Sequence, residues 1–100
     1  MDFFSVEAEK RDALGKAEIR RLKGEGMVPG ILYDENENVP IALDQHDLVN
    51  LINKHGSNIV LDLNLEGKKV KTYIKEIQRA PVSQDILHID LMPLGKGMLH

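Results

Sequence analysis

Four histidines and sixteen carboxylates in a chain of 100 residues invite a catalytic reading. His88 and Asp90 are the best pair. Two apart on an alternating segment, they share one strand face, as a base and its orienting carboxylate would. The other parts of such machinery are missing from the sequence. It contains no cysteine to serve as nucleophile or thiolate ligand, no serine in a G-x-S-x-G turn and no H-E-x-x-H spacing. The glycine-rich stretch "GEGMVPG" lacks the lysine and Ser/Thr of a phosphate-binding loop and follows a helical segment, so it reads as a connection. A same-face His and Asp is ordinarily a surface hydrogen bond. The expectation is therefore no enzyme, no metal and no cofactor.

The chemistry the chain does support is recognition of an anion. Its net charge is −3, yet six of its thirteen Lys and Arg residues fall between positions 10 and 23. They are Lys10, Arg11, Lys16, Arg20, Arg21 and Lys23, against Asp12 and Glu18. On a helix starting near Lys16, residues Lys16, Arg20 and Lys23 stand at i, i+4 and i+7 on one face. Like charges at that spacing cost an isolated helix roughly 0.2–0.5 kcal/mol per pair, unless solvent or an anion takes them up. Residues 34–66 then carry seven acids against Lys54 alone. Residues 67–79 swing back, with Lys68, Lys69, Lys71, Lys75 and Arg79 against Glu76. The pattern reads either as an unevenly charged surface or as one basic and one acidic face, the second suited to an anionic polymer. Tyr33 and Tyr73 add aromatic surface, while Gln78, His88 and Asp90 can reach base edges or 2′-hydroxyls. At this level the chain reads as a small nucleic-acid-binding or protein-binding domain.

Holding those groups in place requires a small fold with its own core. With 42% apolar and 29% charged residues the chain fits one globular domain, and a domain of this size buries about two thirds of its unfolded surface. The lack of cysteine suits a reducing compartment, no apolar run reaches the ~18 residues of a membrane span, and "MDFFSVEAEK" is unlike a signal peptide. A cytoplasmic location and no membrane contact are expected.

"DFFSVEAE" alternates as a strand, with Phe4, Val6 and Ala8 on one face. Residues 17–23 form a short helix with Ile19 and Leu22 as its apolar pair, too short to stand without packing or a ligand. "VPGILY" and "VPIAL" are strands around the polar turn "DENEN", with Pro29 suited to a strand start or edge. The strongest helix runs from an N-cap at Asp44 to a C-cap at Gly56, with Leu48, Leu51, Ile52 and His55 along one stripe. His55 reads as a helix-end residue rather than a ligand. A hairpin follows, turning near Glu66–Gly67, with Ile59, Leu61, Leu63 and Leu65 inward on one strand and Val70, Thr72 and Ile74 inward on its return. The outer face of the return strand is assigned Lys69, Lys71, Tyr73, Lys75 and Arg79. In "DILHIDL", Leu87, Ile89 and Leu91 alternate with Ile86, His88 and Asp90. The pattern is α+β, with a sheet that curls or closes.

The order of these residues adds a resemblance. "RDALGKAEIRRLKGEGMVPGILY", then "IQRAP", then "HIDL" resembles the ribosomal protein L-twenty-five family, which includes the general stress protein CTC. The likeness runs from about Asp2 to Met92. It implies a closed or nearly closed antiparallel β-barrel with two or three short flanking helices. It also implies a structural, non-enzymatic role in the bacterial large ribosomal subunit, binding the loop-E region of 5S rRNA through a widened minor groove. By motif position it implies RNA contacts at Arg11, Lys16, Arg20, Arg21, Tyr33, Gln78, Arg79, His88 and Asp90, to which Lys23 and Lys71 are added from the basic face. Three positions depart from the family pattern: Ile19 where serine is frequent, Asp34 where glycine follows the tyrosine, and Ala80 where histidine precedes the proline.

The organisation expected is a 5S rRNA-binding domain over residues 1–93, followed by a tail or linker remnant over 94–100. The partners expected are 5S rRNA, neighbouring large-subunit proteins and 23S rRNA, with the free protein a monomer. The alternative is a stand-alone protein-interaction or stress module that keeps the fold without the RNA site.

Overall fold

The computed structural model describes residues 3–12, 15–33, 38–83 and 85–94. In chain order the elements are β1 (Phe3–Lys10), α1 (Lys16–Gly24), β2 (Met27–Tyr33), β3 (Asn38–Asp44), α2 (Gln45–His55), β4 (Val60–Leu65), β5 (Lys68–Arg79) and β6 (Ile86–Pro93). The six strands close into a barrel in the order β1-β3-β2-β6-β5-β4. The closed barrel with flanking helices expected from the sequence is what this chain forms. Four of the pairings are antiparallel, while β1 with β4 and β2 with β6 run parallel. Both parallel pairs join strands distant in sequence, which hydrophobic period alone does not encode.

Alternation fills the interior. Val6 and Ala8 of β1, Val28 and Leu32 of β2, Ile41 and Leu43 of β3, Leu61, Leu63 and Leu65 of β4, and Ile89 and Leu91 of β6 make one buried cluster. Thr72 is the buried polar residue of β5, and its hydroxyl donates to the Leu61 carbonyl at 2.9 Å, so no hydrogen-bonding group is stranded there. The hairpin turns at Glu66 and Gly67, whose φ values of 53° and 89° are the paired left-handed conformation of a tight two-residue turn.

One end of the barrel is closed by α2. Asp44 caps it, accepting from the Asp47 N–H at 3.0 Å, and Gly56 ends it at φ 80°. Its buried Leu48 and Ile52 join the barrel cluster, and His55 stacks on Phe4 with ring centroids 4.3 Å apart. His55 is thus a packing residue at the helix end, as its position on the stripe suggests.

The prolines correct one expectation. Pro29 lies at neither a strand start nor an edge; it is fully buried within β2, opposite Ala42. A closed barrel has no edge, so the missing N–H is accommodated where a ladder stops. The β2–β6 ladder begins one residue on at Gly30, and the β1–β3 ladder ends at Ile41, one residue from Pro40. Of the polar turn "DENEN", positions 34–37 lie outside the described residues, and with them the departure at Asp34.

Candidate nucleic-acid interface

The basic helix is anchored by a single apolar side chain. Leu22 of α1 is fully buried, Ile19 is half-buried, and the helix packs on β2. Tertiary packing therefore supplies the support that nine residues cannot provide alone. Its opposite face presents Lys16, Arg20 and Lys23, all exposed and at the expected spacing; among the described residues none of the three side chains has an ion-pair or hydrogen-bond partner.

Arg11 and Arg21 are placed differently. Glu18, half-buried between them, accepts from the Arg11 Nη2 at 2.8 Å and from the Arg21 Nε at 2.8 Å, and Arg11 also reaches Glu9 at 3.3 Å. The hydrogen bond from Arg11 holds the Glu18 carboxyl below its ordinary value, helped by Arg21, and the same bond raises the Arg11 guanidinium further. Arg11 therefore ties α1 to the end of β1 through Glu18, while Arg21 pairs with Glu18 within α1, so part of the charge of both arginines is already answered.

Two bulges shape the neighbouring surface. In the β5–β6 ladder the register shifts between Ile74 and Glu76, and again between Gln78 and Arg79. The first shift makes Lys75 an extra residue on β5 and inverts the alternation beyond it. Ile77 now pairs with buried Ile89 on the inner side, while Glu76 stands opposite Asp90 and Gln78 opposite His88 on the outer side. This corrects the single basic face drawn for Lys69 through Arg79. Arg79 falls in the inner register, half-buried opposite Ile86. The second shift makes Leu87 the extra residue of β6, which turns Ile86 into the core, although the sequence placed it with His88 and Asp90.

The bulges thus bring Gln78, His88 and Asp90 together on adjacent strands. Gln78 is exposed, and the His88 Nδ1 lies 3.2 Å from the Asp90 Oδ1, a charge pair only when the imidazole carries a proton. That carboxylate oxygen is buried beside the imidazole and has no aligned hydrogen-bond donor among the described residues. Gln78 can donate and accept, His88 can do either, and ionised Asp90 only accepts. Because β2 lies between α1 and β6, the exposed cations of the helix border this polar row. Tyr33, at the end of β2, is half-buried beneath the Lys75 ammonium, 4.8 Å from its ring centroid.

Lys71 does not join the group. It stands opposite Asp62 at the other end of β5, seven residues from Gln78, on the order of 23 Å along the strand. Sequence reasoning missed Glu18 as the clamp on two arginines, and missed Glu76 on this face; Lys75, assigned to the outer face, is there as the extra residue of a bulge. Glu18 was legible as the acid three residues before Arg21; the bulge that re-aims Lys75 and Glu76 leaves no local signal. Among the described residues no group of three or more His, Asp or Glu side chains can hold a metal ion, and no helix is long and apolar enough to cross a membrane.

The fold and site are those of a small closed β-barrel protein with a cationic helix beside a polar, twice-bulged strand pair. The chain belongs to the Ribosomal L25p family, whose model matches residues 6–91. It is 40% identical over 92 residues to the large ribosomal subunit protein bL25 of Thermoanaerobacter sp., covering 90% of this chain and 45% of that protein. The bL25 of Listeria monocytogenes is 35% identical over 89 residues, covering 88% and 43%, and that of Corynebacterium efficiens 34% over 97, covering 95% and 48%. The chain spans just under half the length of these curated relatives.

Proposed function

We propose that the chain is a structural protein of the large ribosomal subunit, working in the cytoplasm on the ribosome, and that it binds 5S rRNA at its loop-E region. The observation that carries this reading is the pairing of Gln78 with His88, beside Asp90 and bordered by the exposed cations of α1. Lys16, Arg20 and Lys23 contact phosphates, which fix register without reading sequence. Gln78, His88 and Asp90 face base edges and 2′-hydroxyls across a widened minor groove. A carboxylate beside RNA is electrostatically unfavourable, so Asp90 earns its place by accepting from a base amino group or a 2′-hydroxyl. Arg11 and Arg21 reach phosphates from their Glu18 clamp, and Tyr33 and Arg79 border the contact. Residues 1–93 form the RNA-binding domain, monomeric when free, with 23S rRNA and neighbouring large-subunit proteins as further partners. The role is structural rather than catalytic.

The face also carries Glu76 opposite Asp90, and Glu18 within the arginine pair. Those acids favour a second reading, a protein-interaction or stress module without the RNA site. Titration of labelled 5S rRNA at two salt concentrations, with transfer RNA as competitor, separates the two. About five phosphate contacts predict a log–log salt slope near −4 and persistence of the complex in excess competitor. A flat salt response with equal displacement by transfer RNA would select the protein module.

A further inference from the structure

The barrel is asymmetric at its ends. Helix α2 closes one, whereas the other opens as a cavity of about 740 Å3. Four lysines surround that opening, Lys10, Lys68, Lys69 and Lys71, with Glu66 as the one acid lining it among the described residues. Two of them are unusual in position. Lys10 follows Val6 and Ala8 in the inward alternation of β1, and Lys68 stands opposite the buried Leu65 on the inner side of β5. Charges at inward positions on strand ends project across the mouth rather than around the barrel wall. Both are exposed. The mouth is therefore a convergent cationic ring over an apolar floor that includes Leu65 and Val70.

We propose that this ring is a second RNA-backbone contact, separate from the α1–β6–β5 face. The inference rests on the reading of the chain as RNA-binding. Lys68 lies ten residues from Gln78 along β5, on the order of 30 Å, so one RNA segment at each end is sterically compatible. The ring holds no arginine and no aromatic side chain among its lining residues. Flexible point charges without a planar fork or a stacking surface suit phosphates and carry no base information. The barrel then joins two RNA segments, reading one and holding the other by charge alone. Asp34, Glu35 and Glu37 lie outside the described residues.

The probe is a regular A-form RNA duplex without loop-E sequence, titrated at two salt concentrations. The protein carries Arg20→Ala and Lys23→Ala to remove cations of the other face, with and without Lys10→Gln and Lys68→Gln. Two lost phosphate contacts should flatten the salt slope by about 1.8 and weaken binding about sixtyfold at 0.1 M salt. Arginine at both positions should restore binding, and circular dichroism should show the fold intact throughout. Lys10→Gln and Lys68→Gln in the otherwise native chain should leave the preference for 5S rRNA over transfer RNA unchanged. Equal duplex binding with and without the lysines, no duplex binding at all, or stronger binding of polyglutamate would overturn the proposal. Loss of 5S rRNA recognition with duplex binding retained would refute the loop-E reading and leave this one standing.

Discussion

Gly30 pairs with Ile89 where β2 runs beside β6, with no room for a side chain. A methyl group built on its Cα would lie 2.7 Å from the Ile89 carbonyl oxygen and 2.8 Å from the Ile89 Cγ2. The first of these is backbone, so relief requires moving a strand. The β2–β6 ladder is only three register pairs long, Gly30 with Ile89, Ile31 with Asp90 and Leu32 with Leu91, so one misplaced pair disturbs all of it. Overpacking of this kind costs about 1–3 kcal/mol, and the upper half applies where the clash is with backbone. Alanine also restricts the unfolded chain, which offsets about 0.4–1 kcal/mol. The net expected for Gly30→Ala is a loss of about 2 kcal/mol. For a domain of this size that is a fall in Tm on the order of 10 °C. Chemical denaturation should show a lower midpoint with unchanged slope, which marks a change in the native contact rather than in the unfolded ensemble. Because Ile89 lies between His88 and Asp90, the same variant should bind 5S rRNA with reduced preference over transfer RNA. A Tm within about 2 °C of the native chain would show that the strands are not this close, and the placement of His88 and Asp90 would fall with it.

Asp44→Ala removes the side-chain cap of α2 and should cost about 1 kcal/mol, read as a lower denaturation midpoint; an unchanged midpoint would mean that the cap is not formed. The Glu18 clamp predicts an acid-dependent term in stability. The folded carboxyl titrates below its ordinary value of 4.5, so its contribution is complete above that pH and disappears as pH falls through the lower folded value. Glu18→Gln should lack this term and show a shallower loss of stability in that window, and parallel curves for the two proteins would contradict the clamp. The same variant frees charge on Arg11 and Arg21, so binding of unrelated RNA should strengthen while selectivity for 5S rRNA does not improve.

The core was legible because alternation survives in β1 and β4, where Val6, Ala8, Leu61, Leu63 and Leu65 are apolar and buried. The N-cap at Asp44 and the tight turn at Glu66–Gly67 were legible for a related reason: each is local chemistry written in adjacent residues. The pairings that close the barrel were not, since β1 with β4 and β2 with β6 depend on contacts far apart in sequence. The polar row was half legible. Gln78, His88 and Asp90 could be named by residue type and family resemblance, yet the juxtaposition of Gln78 with His88 depends on an extra residue at Lys75. A bulge changes the parity of a strand without changing its composition, which is why Arg79 and Ile86 were assigned to the wrong faces. The cationic mouth escaped notice for the opposite reason: Lys10 and Lys68 break the inward apolar pattern only at the last position, where a strand reading normally stops.

The central claim is that RNA is read on the α1–β6–β5 face, and mapping that face tests it most directly. Amide and side-chain resonances of the chain would be followed as a loop-E duplex of 5S rRNA is added, with a regular duplex of equal length as the control. The account predicts that Gln78, His88 and Asp90 shift with the loop-E duplex only, that Lys16, Arg20 and Lys23 shift with both, and that α2 stays unmoved. Shifts at Gln78, His88 and Asp90 that are the same with both duplexes, or a loop-E response centred on α2 and β1, would contradict it.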